Sequence, residues 1–301
     1  MLGRRQIREK ILQALYAYNV GGNDIDYVEG RMFQSIDEIY DLYVYELNLL
    51  LAVKEYALEV IERKKQKRFA TDEEKNPNLK FVENKIFDLL EDNKARKEYS
   101  DKHLELSWHL NNNYPAMIFK KFQLSRSYLE YMDNKTPDFE SDKRIILKLF
   151  LKYIADNDTM YEWFEELKLS WADDVHIANN MTLKTIKALE EGKASNTLIQ
   201  VLKSDEGEAF AKNLFRTTIK HYSECLKLIG ERSNNWELDR IAEIDKIILS
   251  MGFTELNHFP QVPAKVVINE CIELAKVYSS TKSNVFINGI LDRYARDTNK
   301  V

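Results

Sequence analysis

The first twenty residues of the chain concentrate positive charge. Arg4, Arg5, Arg8 and Lys10 stand there against one acid, Glu9, although the 301-residue chain as a whole carries a net charge of −5. Arginine binds phosphate through a planar fork of N–H donors. The net charge excludes indiscriminate nucleic-acid binding by the whole surface. A small basic segment on an acidic body instead indicates local phosphate contacts, in RNA binding that is weak or assisted by a partner.

Two acid–histidine pairs have a spacing that could support catalysis. Asp173 stands three residues before His176, and His221 stands three residues before Glu224. A carboxylate-bridged di-metal bundle needs two Glu-x-x-His units and two further inward glutamates, and neither pair has that order. The chain also lacks a glycine-rich phosphate loop and an HExxH motif. We therefore interpret these residues as solvated helix faces, and predict a protein that is not an enzyme and has no cofactor or metal.

Few residues interrupt helices in this chain. It has only nine glycines and five prolines, and the prolines leave residues 138–259 uninterrupted. This scarcity favours long helices over strands and predicts an all-α fold. The longest apolar run, 49–53, is too short to cross a membrane, and the N-terminus lacks the apolar core of a signal peptide. Cys225 and Cys271 have no metal-site spacing, which favours reduced core residues. We expect a cytoplasmic protein.

The first helix has an apolar stripe at helical spacing, formed by Ile7, Ile11, Ala14, Leu15 and Tyr18. Tyr16 lies at the edge of this stripe. A tyrosine in that position is compatible with boundary packing or with contact to a protein partner, and both interpretations stay open.

The C-terminal region predicts two helices joined by a polar turn. Apolar residues recur at helical spacing from Val267 to Tyr278, residues 279–284 break the pattern, and Ser283 or Asn284 could cap the second helix. Gly289 lies inside that second helix. Because glycine there costs about 1 kcal/mol relative to alanine, it indicates that something approaches the backbone closely, and plain helix packing and a partner contact both stay open.

A further helix is predicted from Trp236 to Leu249. Asp245 projects within its apolar arc, between Ile241 and Leu249. A buried carboxylate needs a donor, so the pattern leaves two interpretations open: an internal salt bridge or a contact with a partner.

Three blocks of this sequence together resemble the NusB family. They are the arginines that lead into Gln13-Ala-Leu-Tyr16, the helix from Trp236 that leads to Thr254-Glu-Leu256, and the stretch from Val262-Pro to Asp292. The resemblance implies an all-α, NusB-like helical bundle of two helical subdomains, built from 1–22 and 197–301. Residues 23–196 would be a large additional helical insertion, similar to that of long chains from Bacteroidetes. The pattern of this insertion predicts helices near 80–98, 101–110, 115–133, 141–155, 158–168 and 173–190.

The family resemblance also implies a function. Such a protein binds boxA RNA together with the ribosomal protein NusE during ribosomal RNA transcription, and meets other Nus factors and RNA polymerase indirectly. By resemblance, the RNA-binding residues would be Arg4, Arg5, Arg8, Lys282, Asn284, Phe286 and Asn288. The NusE contacts would be Tyr16, Asp239 and Asp245. We expect the segment from Lys282 to Asn288 to meet the arginines of the first helix. The alternative is a helical protein-interaction scaffold that does not bind RNA.

Overall fold

The protein is described by a computed structural model, which covers residues 2–136, 138–193, 196–202, 205–233 and 237–300. Across these ranges the secondary structure is helical, with one isolated β-bridge between Glu190 and Lys193 and no strand. The predicted all-α class is confirmed. The α-helices of the described ranges are α1 (Arg4–Gly21), α2 (Ile25–Lys65), α3 (Asp72–Lys75), α4 (Lys85–Glu91), α5 (Lys94–Lys102), α6 (Asn113–Phe122), α7 (Arg126–Asp133), α8 (Phe139–Leu149), α9 (Asp158–Leu167), α10 (Val175–Ala188), α11 (Asp205–Arg232), α12 (Glu243–His258), α13 (Ala264–Tyr278) and α14 (Ser283–Asp297).

Packing divides the chain into two compact units. The first unit comprises Met1–Ile36 and Leu202–Val301, and the second comprises Asp37–Val201. Helix α2 supplies residues to both. The boundaries predicted from the sequence, 22/23 and 196/197, stay a prediction about where the family-like core ends.

Helix α12 is the centre of the first unit. Every residue from Ile247 to Leu256 is buried, as expected of a helix surrounded by others. Helices α1, α11, α13 and α14 all pack against it. The polar residues on this stretch must therefore find their partners inside the unit.

A glycine permits the close packing of α12. A Cβ atom added at Gly252 would lie 2.9 Å from both terminal carbons of Leu291 and 3.1 Å from the sulfur of Cys271. Nothing lies within 4 Å of a Cβ added at Gly289, which is exposed. The prediction of a close intramolecular approach at Gly289 is therefore wrong, because that residue faces outward on α14.

Both cysteines are buried free thiols. Burial raises the pKa of the Cys225 thiol to about 11, and hydrogen bonding with Thr254 and Ser250 only partly offsets it. Burial also raises the pKa of Cys271. Since the thiolate is the reactive form, these are packing residues rather than nucleophiles.

The two helices predicted for the C-terminal region, and the polar turn between them, are present. Helix α13 follows directly after Pro263, and α14 begins at Ser283. The helix predicted from Trp236 to Leu249 instead begins at Glu243, after a 3₁₀ turn at Leu238–Arg240. Spacing of three residues suits a 3₁₀ turn as well as an α-helix, which explains the error. Trp236 itself lies outside the described residues.

The second unit is built on α2, which is buried almost continuously from Leu42 to Val53. The ring of Tyr45 stacks on Trp108 with centroids 4.1 Å apart, and the indole N–H of Trp108 donates to the Tyr45 carbonyl at 2.9 Å. Burial raises the pKa of Tyr45 to about 12. This aromatic core keeps the unit compact.

The remaining helices of the second unit are shorter than the sequence pattern predicts. The helix expected at 80–98 is divided into α4 and α5, where the Asn93 side chain accepts from the Arg96 amide at 2.9 Å. The helix expected at 115–133 is divided in the same way, where Ser125 caps α7. Most of the helix expected at 101–110 is replaced by the 3₁₀ turns Leu104–Leu106 and His109–Asn111. The helices predicted at 141–155, 158–168 and 173–190 correspond to α8, α9 and α10, and α8 continues as a π-helical segment, Phe150–Ala155.

Within the described ranges, no helix combines the length and apolar character required to span a bilayer.

Candidate functional site

Arg8 lies inside the first unit rather than on its surface. Its Nε atom donates to Glu255 at 2.8 Å, and its Nη2 atom donates to the other carboxylate oxygen. Both side chains are only 1% exposed. Burial by itself lowers the pKa of Arg8, but the carboxylate of Glu255 outweighs burial and raises it. The prediction that Arg8 contacts RNA phosphate is therefore corrected: its charge belongs to a buried ion pair between α1 and α12.

Arg4 and Arg5 remain at the surface. The guanidinium of Arg4 lies 4.2 Å from the ring centroid of Phe210, a cation–π contact, and forms no ion pair with any carboxylate that the structure describes. Arg5 is 45% exposed and makes two hydrogen bonds of 3.0 Å to the carboxylate of Glu270. That hydrogen-bonded carboxylate raises the pKa of Arg5. Both cations can reach an external phosphate, although Arg5 would have to share its charge with Glu270.

Helices α1 and α13 run parallel in one register. Arg5 bonds to Glu270, and Gln13 donates to the hydroxyl of Tyr278 at 3.2 Å, so the same offset of 265 positions holds at both ends. The N-terminal part of α1 therefore lies beside the middle of α13. The middle of α1, at Gln13, lies beside the end of α13.

The second group of predicted RNA-binding residues lies at and beyond that turn. Lys282 and Asn288 are exposed, whereas Asn284 and Phe286 are half-buried. The Asn284 side chain accepts from the amide of Val285 at 2.7 Å.

The turn is separated from the arginines by the second half of α13. The eight residue steps from Glu270 to Tyr278 span about 12 Å at 1.5 Å per residue. Arg5 bonds at the near end of this span, and Lys282 follows its far end. The expectation that Lys282 meets the arginines directly is therefore corrected, although one single-stranded RNA of several nucleotides could contact both groups.

Asp245 has internal partners. It lies in the first turn of α12 and accepts from the hydroxyls of Ser279 at 2.6 Å and Ser283 at 2.7 Å. The residue is 6% exposed. These hydrogen bonds tie the α13–α14 turn to the start of α12, where the helix dipole favours an acid. The predicted contact of Asp245 with a partner is corrected, because its carboxylate is used inside the unit. Its donors are hydroxyls rather than the basic side chain of a salt bridge.

Tyr16 lines a surface groove of about 480 Å³. The groove runs between α1, the end of α13 and the start of α12, and is lined by Leu12, Gln13, Tyr16, Ala242, Glu243, Ile244 and Tyr278. Tyr16 is 43% exposed. Asp239 is also exposed, in the 3₁₀ turn three residues before Ala242. Tyr16 and the Asp239 turn can therefore belong to one interaction surface, which we call the Tyr16 groove.

The acid at the groove edge is held in place. Glu243 accepts from the hydroxyl of Tyr222 at 2.7 Å and pairs with Lys246 at 2.6 Å. Burial opposes the charged form of Glu243, but these two partners outweigh it and lower its pKa. The groove therefore has an apolar floor, and at one edge it has an ionised carboxylate that is paired with Lys246.

The structure identifies site residues that sequence reasoning did not assign. Glu255 and Glu270 hold Arg8 and Arg5, and Ser279 and Ser283 hold Asp245. The Thr254-Glu-Leu256 block was a signal for Glu255, because it places an acid in the middle of a buried helix. In the described part of the chain, no three His, Cys, Asp or Glu side chains group in a way that could hold a metal.

Comparison with known proteins finds relatives of this chain in one family. The NusB family model matches residues 174–296. A protein of Salinibacter ruber named transcription antitermination protein NusB is 38% identical over 127 residues, which cover 40% of this chain and 79% of the relative. This chain belongs to the NusB family. A Myxococcus xanthus protein of the same name is 43% identical over 91 residues, covering 30% of this chain and 65% of the relative. A third such protein, from Sorangium cellulosum, is 38% identical over 96 residues, or 32% of this chain and 69% of the relative.

No solved structure matches the chain significantly. The family model begins at Asp174, near the start of α10, and so leaves most of the second unit unmatched. Family membership therefore bears most directly on the first unit, which holds α11 to α14.

Proposed function

We propose that this protein is a transcription antitermination factor that binds boxA RNA together with the ribosomal protein NusE during ribosomal RNA transcription. Its relatives carry the name transcription antitermination protein NusB. In this proposal it acts in the cytoplasm as a binding protein without catalytic activity or cofactor. Other Nus factors and RNA polymerase would meet it within the same assembly.

One observation about α1 supports the proposal most strongly. The helix presents two exposed arginines near its N-terminus and an exposed tyrosine beside an apolar groove further along. Arginine at a surface provides the phosphate contacts that dominate affinity for RNA. A half-exposed tyrosine next to an apolar pocket is a typical anchor for a protein partner. Helix α1 thus presents one surface for RNA and a separate surface for a protein partner.

The RNA contacts that we propose are Arg4 and Arg5, followed by Lys282, Asn284, Phe286 and Asn288. Phosphate would bind the cations, and a base could stack on the half-buried ring of Phe286. The partner contacts that we propose are Tyr16 and Asp239, at the Tyr16 groove. Arg8 and Asp245 support these surfaces from inside the unit and touch neither ligand.

Electrophoretic mobility of a labelled boxA RNA tests this function. The chain is titrated at low salt with and without NusE, against an RNA of the same composition in scrambled order. We expect a shifted complex with boxA RNA that forms at lower protein concentration when NusE is present. Absence of a complex in both conditions would contradict the proposal and favour a protein-interaction scaffold.

A further inference from the structure

The second unit carries a strongly basic stretch of its own, at the end of α2. We call residues 63–69 the basic segment. Five of its first six residues are lysine or arginine, no acid lies among them, and Phe69 follows. Helix α2 ends at Lys65, so the segment continues beyond the helix.

Two cations of the basic segment are neutralised within the unit. Lys65 pairs with Glu62 at 2.7 Å, and Lys67 pairs with Glu74 at 2.6 Å. Glu74 also accepts from the amide of Thr71, and its hydrogen bonds with Lys67 and Thr71 lower its pKa. These contacts fix the path of the chain after α2 and engage Glu74 internally.

The other three cations form no direct ion pair among the described residues, although Lys64 still interacts electrostatically with Glu74. Over the ranges that the structure describes, no carboxylate lies within 4 Å of Arg63, Lys64 or Arg68. Cations in the last turn of a helix interact favourably with the helix dipole, and this interaction explains why Arg63 and Lys64 occupy their positions. That effect is confined to the last turn and does not explain Arg68, three residues after the helix ends.

An exposed aromatic ring accompanies these charges. Phe69 is 85% exposed, and the guanidinium of Arg68 lies 5.5 Å from its ring centroid. Surfaces that bind single-stranded nucleic acid combine cations for the backbone with aromatic rings on which bases stack. Phe69 and Arg68 have this combination at one point of the chain.

Helix α6 extends the basic surface. Lys64 and Gln123 line the same cavity of about 250 Å³, so the end of α6 lies beside the end of α2. Lys120 and Lys121 precede Gln123 by two or three residues and are exposed. Neither has a carboxylate within 4 Å among the residues that the structure covers.

We propose that the basic segment, together with Lys120 and Lys121, is a second binding surface for single-stranded RNA. Phosphates bind the cations that form no direct ion pair, and a base stacks on Phe69. The site recognises the chemistry of a single strand rather than a sequence, since stacking and phosphate contacts are tolerant of base identity.

Fluorescence anisotropy tests this surface. It measures the binding of a fluorescein-labelled dodecauridine to the full chain at several salt concentrations. All variants carry Arg4→Ala and Arg5→Ala, which reduces the contribution of the first unit to the signal. Adding Arg63→Ala, Lys64→Ala and Arg68→Ala should weaken binding about tenfold or more. It should also reduce the slope of log K against log salt by about 2, since each phosphate contact to a single strand contributes about 0.7.

The control variant Lys94→Ala, Lys97→Ala and Lys102→Ala removes the same charge from exposed positions on α5. Helix α5 bonds to α2 at Asn48, fifteen residues before Arg63, which is about 22 Å along the helix. This control should bind like the parent. If both triple variants bind alike, or the parent does not bind dodecauridine at low salt, the proposal is overturned.

Substitutions of Phe69 separate stacking from apolar contact. Phe69→Leu should weaken binding about fivefold or more, whereas Phe69→Tyr should retain it, because only the tyrosine keeps an aromatic face. Equal binding by Phe69→Leu and the parent overturns the stacking role. Displacement of the RNA by polyglutamate at equal charge would overturn the assignment to RNA and indicate an acidic protein ligand. Because the probe lacks a boxA element, a negative result leaves the function proposed for the first unit unaffected.

Discussion

Arg8 of α1 and Glu255 of α12 form a buried ion pair, 247 positions apart in the sequence, with two hydrogen bonds between the guanidinium and the carboxylate. Arg8 also donates to the carbonyl of Arg4 at 3.0 Å, which steadies the start of α1. The pair joins the helix that carries the proposed RNA and partner contacts to the central helix of the first unit. Its role is to position α1, and Arg4 and Arg5 project from the helix so positioned.

Removal of either member of this pair should destabilise the first unit strongly. Arg8→Ala or Glu255→Ala leaves a buried charge without its partner, which costs about 3–5 kcal/mol. The double variant Arg8→Met with Glu255→Met buries no charge and should be more stable than either single variant. Thermal unfolding followed by circular dichroism provides the comparison. Arg5→Ala is the control, since loss of its surface ion pair should cost less than about 1 kcal/mol. Equal losses for Arg5→Ala and Arg8→Ala would show that Arg8 is not buried as described.

Two glycines on neighbouring helices should respond oppositely to alanine. Gly252→Ala places a methyl group against Leu291 and Cys271, both buried, and overpacking of this kind costs about 1–3 kcal/mol. Gly289→Ala has open space and a helical backbone, so it should stabilise α14 by about 0.5–1 kcal/mol. Urea unfolding of both variants measures the difference. Stabilisation by Gly252→Ala would contradict the close packing of α12 on α14.

Glu46 should make the stability of the second unit depend on pH. Its side chain is fully buried, accepts from the hydroxyl of Thr182 at 2.6 Å, and has one oxygen without a partner among the described residues. Burial raises the pKa of Glu46 well above its usual value, and the hydrogen bond from Thr182 does not cancel this effect. The folded state therefore keeps a proton that the unfolded state releases above about pH 4.5. Stability conferred by this proton is present at low pH and is lost as the pH rises toward the raised pKa.

Glu46→Gln keeps the acceptor for Thr182 but does not titrate. From about pH 4.5 up to the raised pKa of Glu46, the wild-type chain should lose stability relative to Glu46→Gln by up to about 1.4 kcal/mol per pH unit. Denaturant unfolding at each pH measures the free energy of unfolding of both proteins. Because the other titrating groups contribute equally to both, their effects cancel in the difference. Parallel curves for the two proteins would mean that Glu46 is ionised in the folded state.

The Tyr16 groove should matter for pairing with NusE and for little else. Tyr16→Ala removes an exposed aromatic anchor, and such anchors contribute about 2 kcal/mol or more, or roughly thirtyfold in affinity. Thermal stability should change little, because the side chain is 43% exposed. The matched control is Tyr27→Ala, an exposed tyrosine of the same unit on α2. Calorimetric titration with NusE compares the two variants, and equal affinities would remove the groove from the partner surface.

The sequence was sufficient for those parts of the fold that depend on local periodicity. The first helix, the C-terminal helix–turn–helix and the all-α class were predicted from apolar spacing, and the structure confirms them. The helix breaks at Asn93 and Ser125 were missed, because capping side chains overrode a continuous apolar pattern.

The partners of charged residues could not be predicted from apolar periodicity. A helical pattern shows which face of one helix is apolar, but it does not show what packs against the edge of that face. Arg8 and Asp245 both lie at such edges, and their partners come from distant parts of the chain. Arg4, Arg5 and Tyr16 are exposed in the structure, as expected of residues that lie outside the apolar stripe of α1.

The claim that the N-terminal arginines of α1 bind RNA is tested most directly by salt-dependent boxA binding in the presence of NusE. The double variant Arg4→Ala with Arg5→Ala is compared with wild type and with a control, Lys220→Ala with Lys227→Ala. These two lysines are exposed on α11. They lie about 15 and 25 Å along that helix from Phe210, the residue that contacts Arg4. We predict weaker binding by the arginine variant, with a salt slope reduced by about 1.4 for two lost phosphate contacts, and no change in the lysine variant. An arginine variant that keeps wild-type affinity and slope would contradict the proposed RNA surface.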